Sequence, residues 1–308
     1  MFPGALWRPL QDSFTSMRKT FPVYDICSID RQSEQRGLLI SRFRAYLDQH
    51  YNNLYRAHRH SFYHLVMFTK GKGSHTIDFE KFPVTPFQIY FMAPGQVHSW
   101  HFQGNVDGYI VHFNESLFTS FLQNGQYLER FRFFSGNTEE GVYNLPITAH
   151  DATVALFESM LEEINENIEQ NLDMIRLKLL ELFIIVDRCC NNKKIKNFPQ
   201  QKQMLLRNFK QLIDKQFRLI KLPKEYAELL YVTPNHLNAL CQDLLGKTAG
   251  DVIRDRILLE AKRLLTNEGM TITEIAYDLN FQDNSYFTRF FKKYTGTTPE
   301  EFRKKLEK

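Results

Sequence analysis

The spacing of apolar residues changes near residue 150, and that change divides the chain. From Phe21 to about residue 113 the apolar positions come in short runs rich in β-branched and aromatic side chains: Gly37 to Leu47, Tyr63 to Thr69, Ser74 to Phe79, Gln88 to Met92, Ser99 to Gln103 and Tyr109 to Phe113. Turn-forming stretches separate them, Lys70-Gly-Lys-Gly73, Pro83 to Pro86, Ala93-Pro-Gly-Gln96 and Gly104-Asn-Val-Asp-Gly108. Short strands at this spacing predict a β-sandwich or barrel.

From Asp151 the period becomes helical. Val154, Phe157, Leu161 and Ile164 make one stripe; Leu172, Ile175, Leu179, Leu182, Phe183 and Val186 make another, and the two helices join near Glu169 to Asn171 as an antiparallel hairpin. The second helix is apolar around much of its girth, so it is expected to pair with its twin in a homodimer, with Leu179 and Leu182 in the interface. Packing on the β-domain alone is the alternative. Asn191 to Gln201 is polar, contains Pro199 and has no period, as an interdomain linker would. Beyond it the spacing predicts helices over Lys202 to Phe217, over Ala249 to Leu265 and after Pro299.

Within that helical half one pattern occurs twice, from Leu222 to Leu240 and from Ile272 to Phe291. Each copy has a small inward residue on its first helix, Ala227 or Ala276, where bulk would push the next helix away. Each then turns and begins a second helix behind a capping residue, Thr233 with Pro234 next, and Asp283 or Asn284. Asn280 stands at the bend, where tolerance of positive φ is wanted. Such a pair of helix–turn–helix units is suited to presenting two helices to double-stranded DNA, and the run from Ala249 to Leu265 is a rod that spaces them.

With Leu237 and Leu240 directed to the core, Asn235, Asn238, Ala239 and Gln242 fall on the outer face of the first reading helix. Amide side chains pair with adenine in the major groove, whereas Ala touches only a thymine methyl. On the second, Phe287, Phe290 and Phe291 are core, leaving Ser285, Tyr286, Thr288, Arg289 and Lys292 outward. The planar fork of Arg289 matches guanine O6 and N7. Lys292 and Lys293, a turn later, suit phosphates.

Ala261-Lys-Arg-Leu-Leu265, Ile272-Thr-Glu-Ile-Ala276, the run from Phe281 to Lys293 and Gly296-Thr-Thr-Pro299 together resemble the signature of AraC-type transcriptional regulators over about a hundred C-terminal residues. The resemblance implies two major-groove helices on successive turns of one DNA face. It implies base-facing sites at Asn235, Asn238, Ala239, Asn284, Ser285, Tyr286 and Arg289. Three positions depart from the family pattern: Cys241 replaces the usual Phe, Asn280 the usual Gly, and Ala239 an often polar contact residue.

The first half contains His58-Arg-His60, His64, Gly71 and, after Pro94-Gly95, His98. This is similar to the two cupin motifs, although metal cupins usually have Glu where His64 stands. Four imidazoles could bind Zn, Fe or Mn. In AraC-type proteins, however, this half is usually a metal-free effector-binding cupin, so no metal and no cofactor are expected, and the histidines are read as lining an effector site. Tyr63, Trp100 and Tyr109 join them, with Tyr90 a further candidate, and an aromatic lining suits a sugar or an aromatic acid. The contrasting function is a metal-dependent cupin enzyme fused to a DNA-binding domain, and the missing Glu and the lack of any other catalytic constellation argue against an enzyme.

Charge sharpens this division. From Lys202 onward there are 19 Lys and Arg against 14 Asp and Glu, a net +5, while the remainder has 20 against 21, a net −1, so the positive excess sits in the part with the repeated motif. That suits a polyanionic partner. No stretch reaches the roughly 20 apolar residues of a membrane span. Residues 1–16 lack the apolar core of a secretory leader, and Met17 is a plausible start. Four cysteines, Cys27, Cys189, Cys190 and Cys241, lack metal or redox spacing, which fits reduced thiols in the cytoplasm. The expected fold is α+β in two domains: a cupin-like effector-sensing β-barrel over 17–150 with a dimerising helical hairpin over 151–190, a linker over 191–201, and an all-α double helix–turn–helix domain over 202–308. The expected function is ligand-responsive, sequence-specific regulation of transcription at a promoter operator, with no membrane association.

Overall fold

A computed structural model describes residues 23–26, 36–54, 57–123, 127–165, 170–190 and 199–306. Within them two five-stranded sheets face each other. One runs β1 (Val23–Tyr24), β3 (His58–His60), β8 (Val97–Phe102), β5 (Gly73–Ile77), β6 (Glu80–Val84), and the other β10 (Val142–Asn144), β7 (Gln88–Met92), β4 (Tyr63–Lys70), β9 (Asp107–Phe113), β2 (Leu38–Arg42). Of the sandwich or barrel that the strand pattern allowed, the structure forms a two-sheet sandwich. Strand alternation divides its core in two. Val66 and Phe68 of β4 and Ile110 of β9 point between the sheets, while Leu65, Met67, Val111 and Phe113 point out of the second sheet. At Gly108 the strands pass so closely that an added Cβ would fall 2.0 Å from the Met67 carbonyl oxygen, which only glycine avoids.

A sheet apolar on both faces needs a second cover. The helices α3 (His150–Asn165) and α4 (Asn171–Cys190) provide it, with α2 (Ser116–Leu122) beside them. Phe157, Met160, Ile175, Leu179, Leu182, Phe183 and Val186 lie against that outer face and are all buried within one chain. The expected dimer stripe is therefore corrected: Leu179 and Leu182 are 0% exposed and already covered by the sheet. On the opposite side of α4, Met174 and Leu177 are exposed.

Three other differences have local causes. The run from Gly37 to Leu47 is strand only to Arg42, and α1 (Phe43–Leu54) follows. Phe43, Tyr46 and Leu47, at spacings of three and four, have helical periodicity and enter the sandwich interior together. The run from Ser74 to Phe79 ends at Ile77, because Asp78 and Phe79 form a two-residue turn with φ of 45° and 75°. Pro83 lies within β6 rather than in a turn, which an edge strand tolerates.

The C-terminal half is helical throughout the described residues: α5 (Gln200–Gln216), α6 (Pro223–Leu229), α7 (Pro234–Leu245), α8 (Ala249–Leu265), α9 (Ile272–Asp278), α10 (Asn284–Thr295) and α11 (Pro299–Leu306). Its core gathers around α8, whose Ile253, Ile257, Ala261, Leu264 and Leu265 are buried. Of the expected linker, residues 191–198 lie outside the described residues, as do residues 1–22 with the expected start at Met17. No helix of the described residues is long and apolar enough to cross a membrane.

Candidate functional site

The second helices of the two repeats, α7 and α10, are built by the same local chemistry. Thr233 precedes α7, and its hydroxyl accepts the His236 N–H at 3.1 Å; Pro234 follows in the first turn, where no amide donor is needed. Asp283 precedes α10 and accepts the Tyr286 N–H at 2.6 Å, so of the two expected caps it is Asp283 that acts. Gly246 and Gly296 end the helices with φ of 69° and 79°. Ala227 and Ala276 are fully buried beneath them. Asn280 has φ 54° at the second bend, and Tyr231, which no turn signal marked, has φ 55° at the first.

Asn235, Asn238, Ala239 and Gln242 are exposed on α7, and Ser285, Tyr286, Arg289, Lys292 and Lys293 on α10. Asn284 is half-buried and accepts from the Thr288 hydroxyl at 3.3 Å. Phe290, expected in the core, is only half-buried at its edge. Asn238 also has a role inside the fold: its side-chain oxygen accepts the Ala249 N–H at 3.0 Å, which takes up one of that oxygen's two lone pairs. The two faces differ in charge. The one charged residue of α7 is Asp243, paired with Lys202 at 2.8 Å, whereas α10 carries Arg289, Lys292 and Lys293. Positive charge therefore concentrates on the second motif.

The sandwich interior holds six buried histidines: His58, His60, His64, His75, His98 and His112. His58 lies opposite His98 across β3 and β8, and His64 opposite His112 across β4 and β9. Nε2 of His60 lies 2.8 Å from Nε2 of His98, Nε2 of His75 lies 2.9 Å from Nδ1 of His98, and Nδ1 of His64 lies 2.9 Å from Nε2 of His112. Burial holds the His64 imidazole down to about 3, with repulsion from His58 adding to it. It also holds His60, His75, His98 and His112 well below the ordinary 6.5, reinforced by the neighbouring imidazoles. Phe62 stacks on His60 and lies against His112, each with ring centroids 4.5 Å apart, and Trp100 packs 5.2 Å from His98.

The expected effector residues therefore separate. His58, His60, His64, His98 and Trp100 come together in this chamber, and Tyr90 borders it 4.8 Å from His75. Tyr63 and Tyr109 do not. Tyr63 stacks on Phe113, and Tyr109 stacks on Phe157 and donates to Glu158, all on the helix-covered outer face. Adjacent strand residues point to opposite faces, so Tyr63 could not share the chamber with His64. His75 and His112 were missed, because only the register of β5 and β9 brings them inward.

Just outside the chamber the sandwich meets the helical half. The Asp78 carboxylate accepts Nε and Nη2 of Arg263, both at 2.7 Å, with side-chain exposures of 1% and 6%. It also accepts Nε2 of Gln96 at 2.9 Å and the Val97 N–H at 3.2 Å. Burial alone would lower the Arg263 guanidinium, but hydrogen bonding and charge from Asp78 hold it above its ordinary value. Phe79 completes the contact, its ring 5.5 Å from that of Phe302 on α11. A phenylalanine at positive φ is strained by about 1–3 kcal/mol, so the turn depends on surroundings that fix it. Beside it an interdomain cleft of about 710 Å³ runs between Gln96, Phe134 and Asn137 on one wall and Lys210, Arg256 and Arg263 on the other.

Comparison with known proteins agrees with this two-part division. A family profile described as an AraC-like ligand binding domain matches residues 42–180, and one described as a helix-turn-helix domain matches residues 226–305. The chain is 43% identical over 68 residues to the probable transcription factor PqrA of Proteus vulgaris, covering 22% of this chain and 56% of that protein. It is 35% identical over 77 residues to the arabinose operon regulatory protein of Escherichia coli, covering 25% of this chain and 26% of that one. It thus spans about half the length of the first relative and about a quarter of the second. Among solved structures it is similar to ToxT of Vibrio cholerae, with a TM-score of 0.42 and 12% identity over 88% of this chain and 98% of that one.

The asymmetry of the reading faces yields a test. Arg289→Ala should cost roughly 1–3 kcal/mol on a specific site and relax preference at one base pair, while Lys293→Ala should weaken all sequences alike and lower the salt slope by about 1. Competition with scrambled duplex separates the two. Equal loss on specific and random DNA for Arg289→Ala would remove it as a base reader.

Proposed function

We propose that the chain is a one-component transcription factor of the AraC type, a reading supported by the two matched profiles: the sandwich binds a small effector, and α7 and α10 read operator DNA. The observation that carries this reading is the placement of Arg263. It lies on α8, the helix that spaces the two motifs, and its partner Asp78 is held by Val97, next to chamber residue His98. A change in the chamber then acts on the reader through one buried ion pair. The effector residues in this reading are His58, His60, His64, His98 and Trp100. The DNA residues are Asn235, Ala239, Gln242, Ser285, Tyr286 and Arg289, with Asn238 and Asn284 contributing what their internal bonds leave free and Lys292 and Lys293 meeting phosphate. The matched profiles, an AraC-like ligand binding domain and a helix-turn-helix domain, support a regulator over the alternative of a cupin enzyme fused to a DNA-binding domain. A protein that acts on promoter DNA works in the cytoplasm, and this reading locates the chain there.

The reading includes a homodimer through the hairpin over 151–190, now by its outward face. Met174 and Leu177, 41% and 51% exposed, lie one turn apart there. A second copy would cover them and tether two DNA-binding domains, raising their effective concentration on paired sites. Sizing at micromolar concentration should give a dimer for the wild type and a monomer for Met174→Glu/Leu177→Glu. A wild type that is monomeric with and without DNA contradicts the dimer.

For DNA, the two helices should engage major grooves about one helical turn apart on one face. Inserting about five base pairs between the two half-sites, roughly half a turn, should abolish high-affinity binding in gel shifts. Unchanged affinity would mean that only one motif reads bases.

A further inference from the structure

The two helix–turn–helix units are joined along the chain by α8, and a second connection between them runs through space. It lies in the short segment between α5 and α6. The first unit holds this segment: the buried Tyr226 of α6 donates its hydroxyl to the Ile220 carbonyl at 2.9 Å, and the Leu222 N–H donates to the Glu225 carboxylate at 3.3 Å. The second unit receives it. Lys221 donates from Nζ to the Asn280 carbonyl at 2.6 Å, and the same ammonium lies 3.9 Å from the centroid of the Phe281 ring. Asn280 is the positive-φ residue of the second bend. Phe281 seats α10, its ring centroid 5.8, 5.2 and 5.1 Å from those of Tyr286, Phe287 and Phe290.

We propose that Lys221 is a positioning residue for DNA recognition: by clasping the Asn280–Phe281 bend it fixes the angle of α10 relative to α7, while α8 fixes their separation. The proposal rests on the reading of α7 and α10 as the helices that enter DNA.

The chemistry of the contact fits a clasp better than a cover. The amides of Asn280 and Phe281 are bonded inside the second unit, to the Tyr277 and Ala276 carbonyls, whereas the Asn280 carbonyl is bonded by the incoming lysine. A cation over an aromatic face adds an attraction that falls away as the ring shifts. Burial brings the Lys221 ammonium down to about 8. Keeping a charge there is therefore unfavourable, and an apolar side chain would cover Phe281 without that cost. Arg218, three residues earlier, reaches Asp278 at the end of α9 at 3.3 Å, so the segment grips the second unit on both sides of its bend. The bend of the first unit is open by comparison, with Tyr231 97% exposed. Fixing the angle in advance removes an ordering cost only when both helices engage one duplex. A helix bound alone to one half-site gains nothing from it.

The test uses full-length protein and an operator that the wild type selects from random duplex. Affinity is measured on that duplex and on copies with one half-site scrambled. Lys221→Met, checked for folding by circular dichroism, should weaken the intact operator at least tenfold and each single half-site less than twofold. Lys221→Gln, which keeps a neutral donor on a shorter chain, serves in its place if the first variant does not fold. Lys221→Arg keeps the cation and the donor and should bind the intact operator within threefold of wild type. The control Lys224→Met removes the same charge at a side chain 76% exposed and should change intact and scrambled duplexes alike. In the DNA-free protein, spin labels attached through ketone-bearing residues at the exposed positions Gln242 and Lys293 report the distance between α7 and α10. Its distribution should broaden or shift in Lys221→Met and not in Lys224→Met. Equal loss on intact and scrambled duplexes would make Lys221 a phosphate contact and overturn the proposal. Wild-type affinity of the folded variant, or an unchanged distance distribution, overturns it as well. A wild type that binds the intact operator no more tightly than one half-site contradicts the two-helix reading instead, and the proposed role in recognition falls with it even if the distance responds.

Discussion

Two opposite charges taken out of water between domains, Asp78 and Arg263, set the terms for the rest of the molecule. An isolated buried charge is expensive, and removing one partner of such a pair typically costs about 3–5 kcal/mol because the other is left uncompensated. The Asp78 carboxylate avoids that cost by accepting from Arg263, Gln96 and Val97 together, and those donors come from both domains. The pair ties the sandwich to the helical half in this arrangement. That dependence on geometry suits it to coupling the two domains more than to adding stability.

From Arg263 the charges continue into the DNA-binding domain. Glu260, one turn back on α8, lies 3.8 Å from Arg263, 2.9 Å from Arg256 and 3.1 Å from Arg218, and Arg218 reaches Asp278 at 3.3 Å. Burial would raise the Glu260 carboxyl, but the surrounding arginines hold it below its ordinary value. Asp278 ends α9, the supporting helix of the second motif, whose Ala276 fixes how closely α10 packs. A chain of ion pairs thus runs from a sandwich turn to the base of the more basic reading helix. On the sensor side the same turn adjoins β8, which carries His98 and Trp100 into the chamber.

Much of this was legible in the sequence where local chemistry decides. Thr233, Pro234, Asp283 and the two buried alanines announced both motifs, because caps and close packing leave signatures in single residues. The histidine pattern around His58, His60, His64 and His98 was equally readable. What escaped depends on pairing at a distance. His75 and His112 enter the chamber only through strand register. Leu179 and Leu182 looked available for a partner copy because no pattern in α4 reveals that a sheet covers them. The Asp78–Phe79 turn has neither glycine nor asparagine, so nothing local marked it, and tertiary contacts hold what propensity disfavours. Tyr63 and Tyr109 are a different case, since strand parity alone places Tyr63 away from His64.

The coupling is the central claim, and a double-mutant cycle on operator affinity measures it directly. Asp78→Asn, Arg263→Gln and the double variant are compared with wild type by the same gel-shift titration, each shown to be folded. The account predicts that each single change shifts operator affinity and that the double variant resembles either single, an interaction energy of about 0.5–3 kcal/mol. Strictly additive effects, or three folded variants with wild-type affinity, would contradict it.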